Sequence, residues 1–251
     1  MSAPITVTDE GGVRLVRIQR PEKKNALTAA MYDALASALV TARTQTPVRC
    51  IVVAGVPGAF CAGNDLDDFR KAAESGEGLG ENAIRFLHAL ATCDKPLVAA
   101  VDGLAIGIGT TMLLHCDYVV AAHGSRFTTP FVSLGLVPEA ASSLLAPRLM
   151  GQRHAFALLV LGEPLDAETA RNAGLVNVVT DSTEVEARAL EAARRIAALP
   201  PEAVLASRRL MRGTPEETVA RIDEEADYFR ERLQSSEAQA AFAAFFNRKK
   251  S

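Results

Sequence analysis

The chain has 251 residues, with 27 Lys and Arg against 30 Asp and Glu and a formal net charge of −3. At roughly 150 residues per domain this lies between one domain and two, enough to bury a core without disulfides or metals. The slight acidic balance, the 5% aromatic content and the lack of Trp exclude a basic nucleic-acid-binding face and a surface of stacking platforms.

The N-terminal MSAPITVTDEGG lacks the basic-then-apolar order of a secretory leader, and no apolar run reaches the ~18 residues needed to span a bilayer. The expectation is a soluble cytoplasmic protein with neither membrane nor nucleic acid as partner. Val13–Ile18, Cys50–Ala54, Leu97–Val101, Tyr118–Ala122 and Leu175–Val179 read as strands. They are short apolar runs suited to a sheet buried on both faces. Between the first two, about Ala29 to Arg43 reads as a helix, with Thr28 as N-cap and Met31, Leu35, Leu39 and Val40 on one stripe. Alternating strands and helices imply an α/β architecture.

From about Val185 onward no strand is expected. Pro200-Pro201-Glu202 opens one helix, Thr214-Pro215-Glu216-Glu217 opens another at capping-box spacing, and Ser235 or Ser236 caps a last one carrying Phe242, Phe245 and Phe246. The division expected is an α/β core with the active site over 1–190 and a helical region over 191–251, which either covers the core or packs on another subunit, its phenylalanines slightly favouring the subunit contact. The cysteines at 50, 61, 93 and 116 form no zinc spacing and read as buried or semi-buried free thiols, in keeping with a reducing compartment. The four histidines show no HxxxH or HExxH spacing, so no metal site is expected.

Two glycine-rich segments stand out: Gly58-Ala59-Phe60-Cys61-Ala62-Gly63-Asn64-Asp65-Leu66, and Gly103-Leu104-Ala105-Ile106-Gly107-Ile108-Gly109-Thr110-Thr111 directly after a strand. Small residues let backbone approach a ligand closely, and a following helix start leaves N–H groups unpaired. Two such loops can aim two backbone donors at one oxygen, an oxyanion hole. Taken alone, each reads as a tight turn or a packing contact more readily than as a ligand loop. Neither completes GxGxxG, and no GxxxxGK[ST] or GxSxG occurs, so nucleotide binding and serine hydrolysis find little support.

These segments, with Arg20-Pro21-x-x-x-Asn25-Ala26-Leu27, Cys116-Asp117, Phe127, Pro130, Leu134-Gly135, Pro138 and Ala173-Gly174-Leu175-Val176, resemble the crotonase (enoyl-CoA hydratase/isomerase) superfamily in order and spacing. The resemblance implies a spiral of ββα units with a C-terminal helical region, a homotrimer or dimer of trimers, and an acyl thioester of coenzyme A as ligand. No separate cofactor is implied, because coenzyme A is part of the substrate. Matching residue by residue assigns the oxyanion-hole N–H groups to Asn64 and Ile108. It places Lys24, Ala26, Ala62, Gly63, Asp65, Leu66, Gly107, Thr111 and Phe131 along the coenzyme A and acyl path. Asp65 also reads as a loop-fixing carboxylate, and Asp117 as structural.

Hydratases of the superfamily use two glutamates, and the matching positions hold Thr111 and Phe131. Leu134-Gly135-Leu136-Val137-Pro138-Glu139 instead resembles the Δ3,Δ2-enoyl-CoA isomerase branch, whose single glutamate follows a proline. That assigns catalysis to Glu139 and implies transfer of the double bond from 3-enoyl-CoA to trans-2-enoyl-CoA. The alternatives are another reaction of the superfamily, such as hydration, and a non-catalytic acyl-CoA-binding subunit. Burial would raise the Glu139 pKa and a helix start would lower it. Ala73 to Gly80, with three glycines, reads as a loop that either gates the acyl site or lies on the surface.

Overall fold

The computed structural model describes residues 3–45, 47–65, 67–68 and 78–248. Four of the five expected strands have the expected bounds: β2 (Val13–Ile18), β3 (Cys50–Ala54), β5 (Leu97–Val101) and β7 (Tyr118–Ala122). With β1 (Ile5–Glu10) and β10 (Val178–Thr180) they form a six-stranded sheet ordered β1-β2-β3-β5-β7-β10, antiparallel between β1 and β2 and parallel thereafter.

The apolar runs are explained by what lies on each side. Ile51, Val53, Leu97, Ala99, Val101, Val119 and Ala121 face the main core, under α1 (Ala29–Thr44) and α2 (Glu81–Ala91). The alternate residues Cys50, Val52, Ala54, Val98, Ala100, Val120 and Ala122 face a second cluster, closed by Val185, Ala189, Ala193 and Ala197 of α6 (Val185–Ala197). The four-residue spacing of those α6 side chains makes one helical stripe, and the three alanines let the helix lie close to the sheet.

β3, β5 and β7 each turn into a short strand of a second sheet. β4 (Ala59–Cys61), β6 (Leu104–Ile106), β8 (Arg126–Thr128) and β9 (Leu165–Asp166) form a four-stranded sheet in that order. After β4 comes α2, after β6 comes α3 (Ile108–Thr111), and after β8 comes α4 (Ser142–Phe156). The chain therefore winds through three successive ββα turns, the crotonase-type architecture expected. Each turn sets a short strand beside its predecessor, with β4, β6 and β8 mutually parallel.

Three local expectations are corrected. Val40 is 44% exposed, because residues 31, 35 and 39 form the buried face and residue 40 lies about 100° around the helix from 39. The strand read from Leu175 begins only at Val178. Leu175 and Val176 are buried, but their N–H groups donate to Ala170 O and close α5 (Ala167–Asn172). The capping box at Thr214 does not form: α8 (Glu216–Leu233) starts after Pro215 without a side-chain cap, and the Thr214 hydroxyl engages the Glu216 carboxylate. Thr28 does cap α1, accepting from Met31 N, and Ser235 Oγ accepts from Ala238 N at the head of α9 (Ser236–Arg248).

All four cysteines are free thiols, three of them buried. The boundary drawn at 190 falls within α6. After it, α7 (Pro201–Arg212) opens at Pro201, and Phe242 of α9 packs on the main core. The side chains of Phe245 and Phe246 lie outside the described residues. No helix among the described residues is long and apolar enough to cross a membrane.

Candidate active site

Three loops meet at the C-terminal ends of β4 and β6. The first follows β2. Lys24 and Asn25 both take left-handed backbone (φ 50° and 61°), a conformation Asn tolerates better than most residues. Buried Asn25 accepts from Arg20 N at 2.7 Å and donates to Ala59 O and Phe60 O at 2.7 and 3.1 Å. One amide thus staples this loop to β4. Beyond the staple, Ala62 N donates to Lys24 O, Leu27 N to Gly63 O and Asp65 N to Leu27 O. Lys24, Ala26, Ala62 and Gly63 are brought side by side, and the Asn64 N–H is left outside this parallel pairing.

Asp65 fixes the loop, as its sequence context implied. Its oxygens accept from Arg20 Nη1 at 2.7 Å and from the Asp67 and Asp68 N–H groups at 3.0 and 3.4 Å. Burial pushes this carboxyl up, but Arg20 and the two amides together hold it below the usual carboxylate range.

The second glycine loop is placed by close packing. A Cβ at Gly109 would stand 2.4 Å from Cys61 O, so only glycine lets α3 rest on β4. Gly107 turns the chain with φ 56° and ψ −121°, and Ile108 is the first residue of α3. Its N–H has no acceptor within the helix. Because β4 and β6 are parallel neighbours, Gly63-Asn64 and Gly107-Ile108 emerge at the same end of the sheet.

Glu139 reaches this place from the segment before α4. The Thr111 hydroxyl, one turn along from Ile108, donates to Glu139 Oε1 and also lies 3.3 Å from Gly107 O. The Glu139 side chain is buried, and its pKa is raised to about 8. Burial is the main cause; the Thr111 hydrogen bond opposes it, and the nearby Glu225 carboxylate adds to it. Of the two opposed effects expected from the sequence, burial wins. Tyr32 and Cys61 also feel the Glu139 charge; burial holds the Tyr32 hydroxyl well above its ordinary pKa and the Cys61 thiol up at about 12. Both are neutral at physiological pH, leaving Glu139 as the titrating group among them.

Phe131 is buried and belongs to the main core. Leu66 and most of the glycine loop at 73–80 lie outside the described residues. A cleft of about 830 Å³ under α7, which Arg148, Arg208 and His115 help to line, includes none of the expected site residues.

The structure adds participants that no motif announced. The Tyr32 hydroxyl donates to Asn64 Oδ1 and its ring packs against Phe86, fixing the loop that carries the Asn64 amide. His115 Nε2 lies 2.8 Å from Ala140 O. Burial lowers its pKa to about 4, so the ring is neutral and its Nε2–H donates. Glu225 of α8 accepts from Ser143 N at 2.9 Å.

Comparison with known proteins gives the family and the fold. The family model described as enoyl-CoA hydratase/isomerase matches residues 8–251. Enoyl-CoA delta isomerase 2 of Rattus norvegicus is 36% identical over 253 residues, covering 99% of this chain; the chain spans 64% of that relative's length. A probable enoyl-CoA hydratase of Mycobacterium tuberculosis (strain H37Rv) is 35% identical over 218 residues, 84% of this chain and 82% of the relative. A crystal structure of an enoyl-CoA hydratase/isomerase from Pseudoalteromonas atlantica T6c superposes with a TM-score of 0.91 at 41% identity, covering 98% of each chain.

Proposed function

The chain belongs to the enoyl-CoA hydratase/isomerase (crotonase) family, and within it we propose that this member is an isomerase that moves the double bond of 3-enoyl-CoA to trans-2-enoyl-CoA, with Glu139 as its one acid–base group. The observation that carries this reading is the buried Glu139 carboxylate beside the two loops, while the positions matching the hydratase glutamates hold Thr111 and Phe131. Neither of those side chains takes a proton from water at neutral pH.

In the proposed reaction, ionised Glu139 takes a proton from C2 of the 3-enoyl thioester. The C2–H electron pair forms the C1–C2 double bond of a dienolate, whose charge resides on the thioester oxygen. The Asn64 and Ile108 N–H groups receive that oxygen; each such donor is typically worth about 3 kcal/mol toward an oxyanion. Glu139 then returns the proton at C4, and the remaining double bond lies between C2 and C3. One base suffices because the proton that leaves is the proton that returns. Lys24, Ala26 and Ala62 border the coenzyme A, Gly63, Asp65, Leu66 and Gly107 border the thioester, and Thr111 and Phe131 border the reacting carbons. The working form in this proposal is a homotrimer or dimer of trimers, with residues 191–251 contributing to the contacts, in unsaturated fatty-acid β-oxidation.

The test offers the purified protein 3-hexenoyl-CoA and, separately, crotonyl-CoA. Conjugation of the first without hydration of the second is expected. Hydration of crotonyl-CoA without isomerisation would assign the other reaction of the family, and acyl-CoA binding without turnover of either would assign a binding subunit.

A further inference from the structure

The two residues after Glu139 are alanines held in the left-handed region, Ala140 at φ 63° and Ala141 at φ 53°. Such backbone is costly for residues with a Cβ and persists only where surrounding bonds impose it. Three sets of bonds do so here. Ser142 N donates to Glu139 O at 3.1 Å, His115 Nε2 donates to Ala140 O, and Glu225 Oε1 accepts from Ser143 N. The Ala141 N–H also donates to the Glu225 carboxylate. Glu225 lies on α8, 82 residues beyond Ser143. It is buried, with its second oxygen Oε2 and the neighbouring Ser142 Oγ both without partners.

A buried carboxylate with an unsatisfied oxygen is an expensive way to cap a helix. A neutral amide would accept the same N–H bonds without the charge. What the charge adds is a Coulombic push on Glu139, whose pKa it raises to a lesser extent than burial does.

We propose that Glu225 is a positioning residue for catalysis: from α8 its carboxylate clamps the two-alanine turn that aims Glu139 and sets a second negative charge behind that base. This rests on the isomerase reading of the site. The groups around the pair fit the division of labour. Tyr32 from α1 and Cys61 from β4 stay protonated, and His115 stays neutral. Arg221 donates to Ser143 Oγ at 3.0 Å and is the cation whose field favours Glu225 ionisation. Burial still raises the Glu225 pKa, but the Ser143 hydroxyl, the Ser143 and Ala141 amides and Arg221 support its charge. Glu139 has only Thr111, so Glu225 ionises first and Glu139 titrates against it.

Two variants separate charge from clamp. Glu225→Gln retains an acceptor and removes the charge; Glu225→Asp retains the charge and draws the acceptor back by one methylene. The readouts are the titration of Glu139, followed by carbon NMR of side-chain-labelled glutamate and assigned through its loss in Glu139→Gln, and the pH profile of 3-hexenoyl-CoA isomerisation. In Glu225→Gln the Glu139 midpoint moves down by about half a pH unit or more, and the pH midpoint of kcat/KM moves with it. In Glu225→Asp the midpoint stays within that margin while kcat falls at least about fivefold with KM little changed. An unmoved midpoint in Glu225→Gln, or wild-type kcat in Glu225→Asp, overturns the proposal. The titration needs no turnover: if the wild type isomerises nothing, the isomerase reading fails, and the NMR midpoint still decides whether Glu225 controls the Glu139 charge.

Discussion

At the scale of single residues, the proposed reaction depends on a carboxyl group that burial makes reluctant to ionise. A Glu139 pKa of about 8 means that the basic form required for proton abstraction is the minor one at neutral pH. The isomerisation rate should therefore climb as pH rises and level off above about 8; a pH-rate profile that is flat from 6 to 9 would contradict this. Stability runs the other way. The folded state holds the Glu139 proton more tightly than the unfolded chain does, so this group's contribution is complete below the ordinary glutamate pKa near 4.5 and is lost as pH rises to about 8. Glu139→Gln, which cannot ionise, should melt about 5 °C or more above the wild type at pH 9, and calorimetry at pH 5 and pH 9 checks that the gain appears only at the higher pH.

At the scale of elements, the site depends on how closely α3 and β4 approach. Gly109→Ala forces a Cβ against Cys61 O and Cys61 Cβ, at 2.4 and 2.9 Å before relaxation. It should cost about 1–3 kcal/mol of stability and lower kcat through displacement of Ile108 and Thr111; denaturant unfolding and kinetics together test it. Elements were legible in the sequence where burial was complete. The five-residue runs of β3 and β5 are apolar throughout because both faces are covered, and α1 shows its cap and stripe. The three-residue strands β4, β6 and β8 are too short to carry a period, and β1, which pairs only with β2 at the sheet edge, alternates weakly. The glycine loops were legible because close backbone approach leaves glycine in the sequence. Tyr32, His115 and Glu225 were not. Their bonds to Asn64, Ala140 and Ser143 span 32, 25 and 82 residues, and nothing local marks a side chain for so distant a partner.

For the whole molecule, the ββα spiral sets the working ends of β4 and β6 side by side, while the C-terminal helices close the back of the sheet and reach round to the site. Asp117 ties these parts together: it accepts from Leu97 N and from Arg208 and Arg212 of α7, all at 2.8 Å. The structural reading of Asp117 drawn from the sequence agrees with these bonds. The same helix leaves Leu210 and Met211 each 87% exposed, more apolar surface than a solvated helix end normally presents. In the proposed trimer this face is covered. Leu210→Asp with Met211→Asp should shift the sedimenting species toward monomer without unfolding it; unchanged sedimentation would place the subunit contacts elsewhere.

In the proposed reaction one buried carboxylate, Glu139, carries the proton. The most direct measurement compares wild type and Glu139→Gln with 3-hexenoyl-CoA at pH 9, where Glu139 is ionised, alongside the affinity of each for a saturated acyl-CoA. Loss of at least about 10²-fold in kcat with affinity unchanged is the predicted result. Isomerisation surviving at the wild-type rate in Glu139→Gln would contradict it.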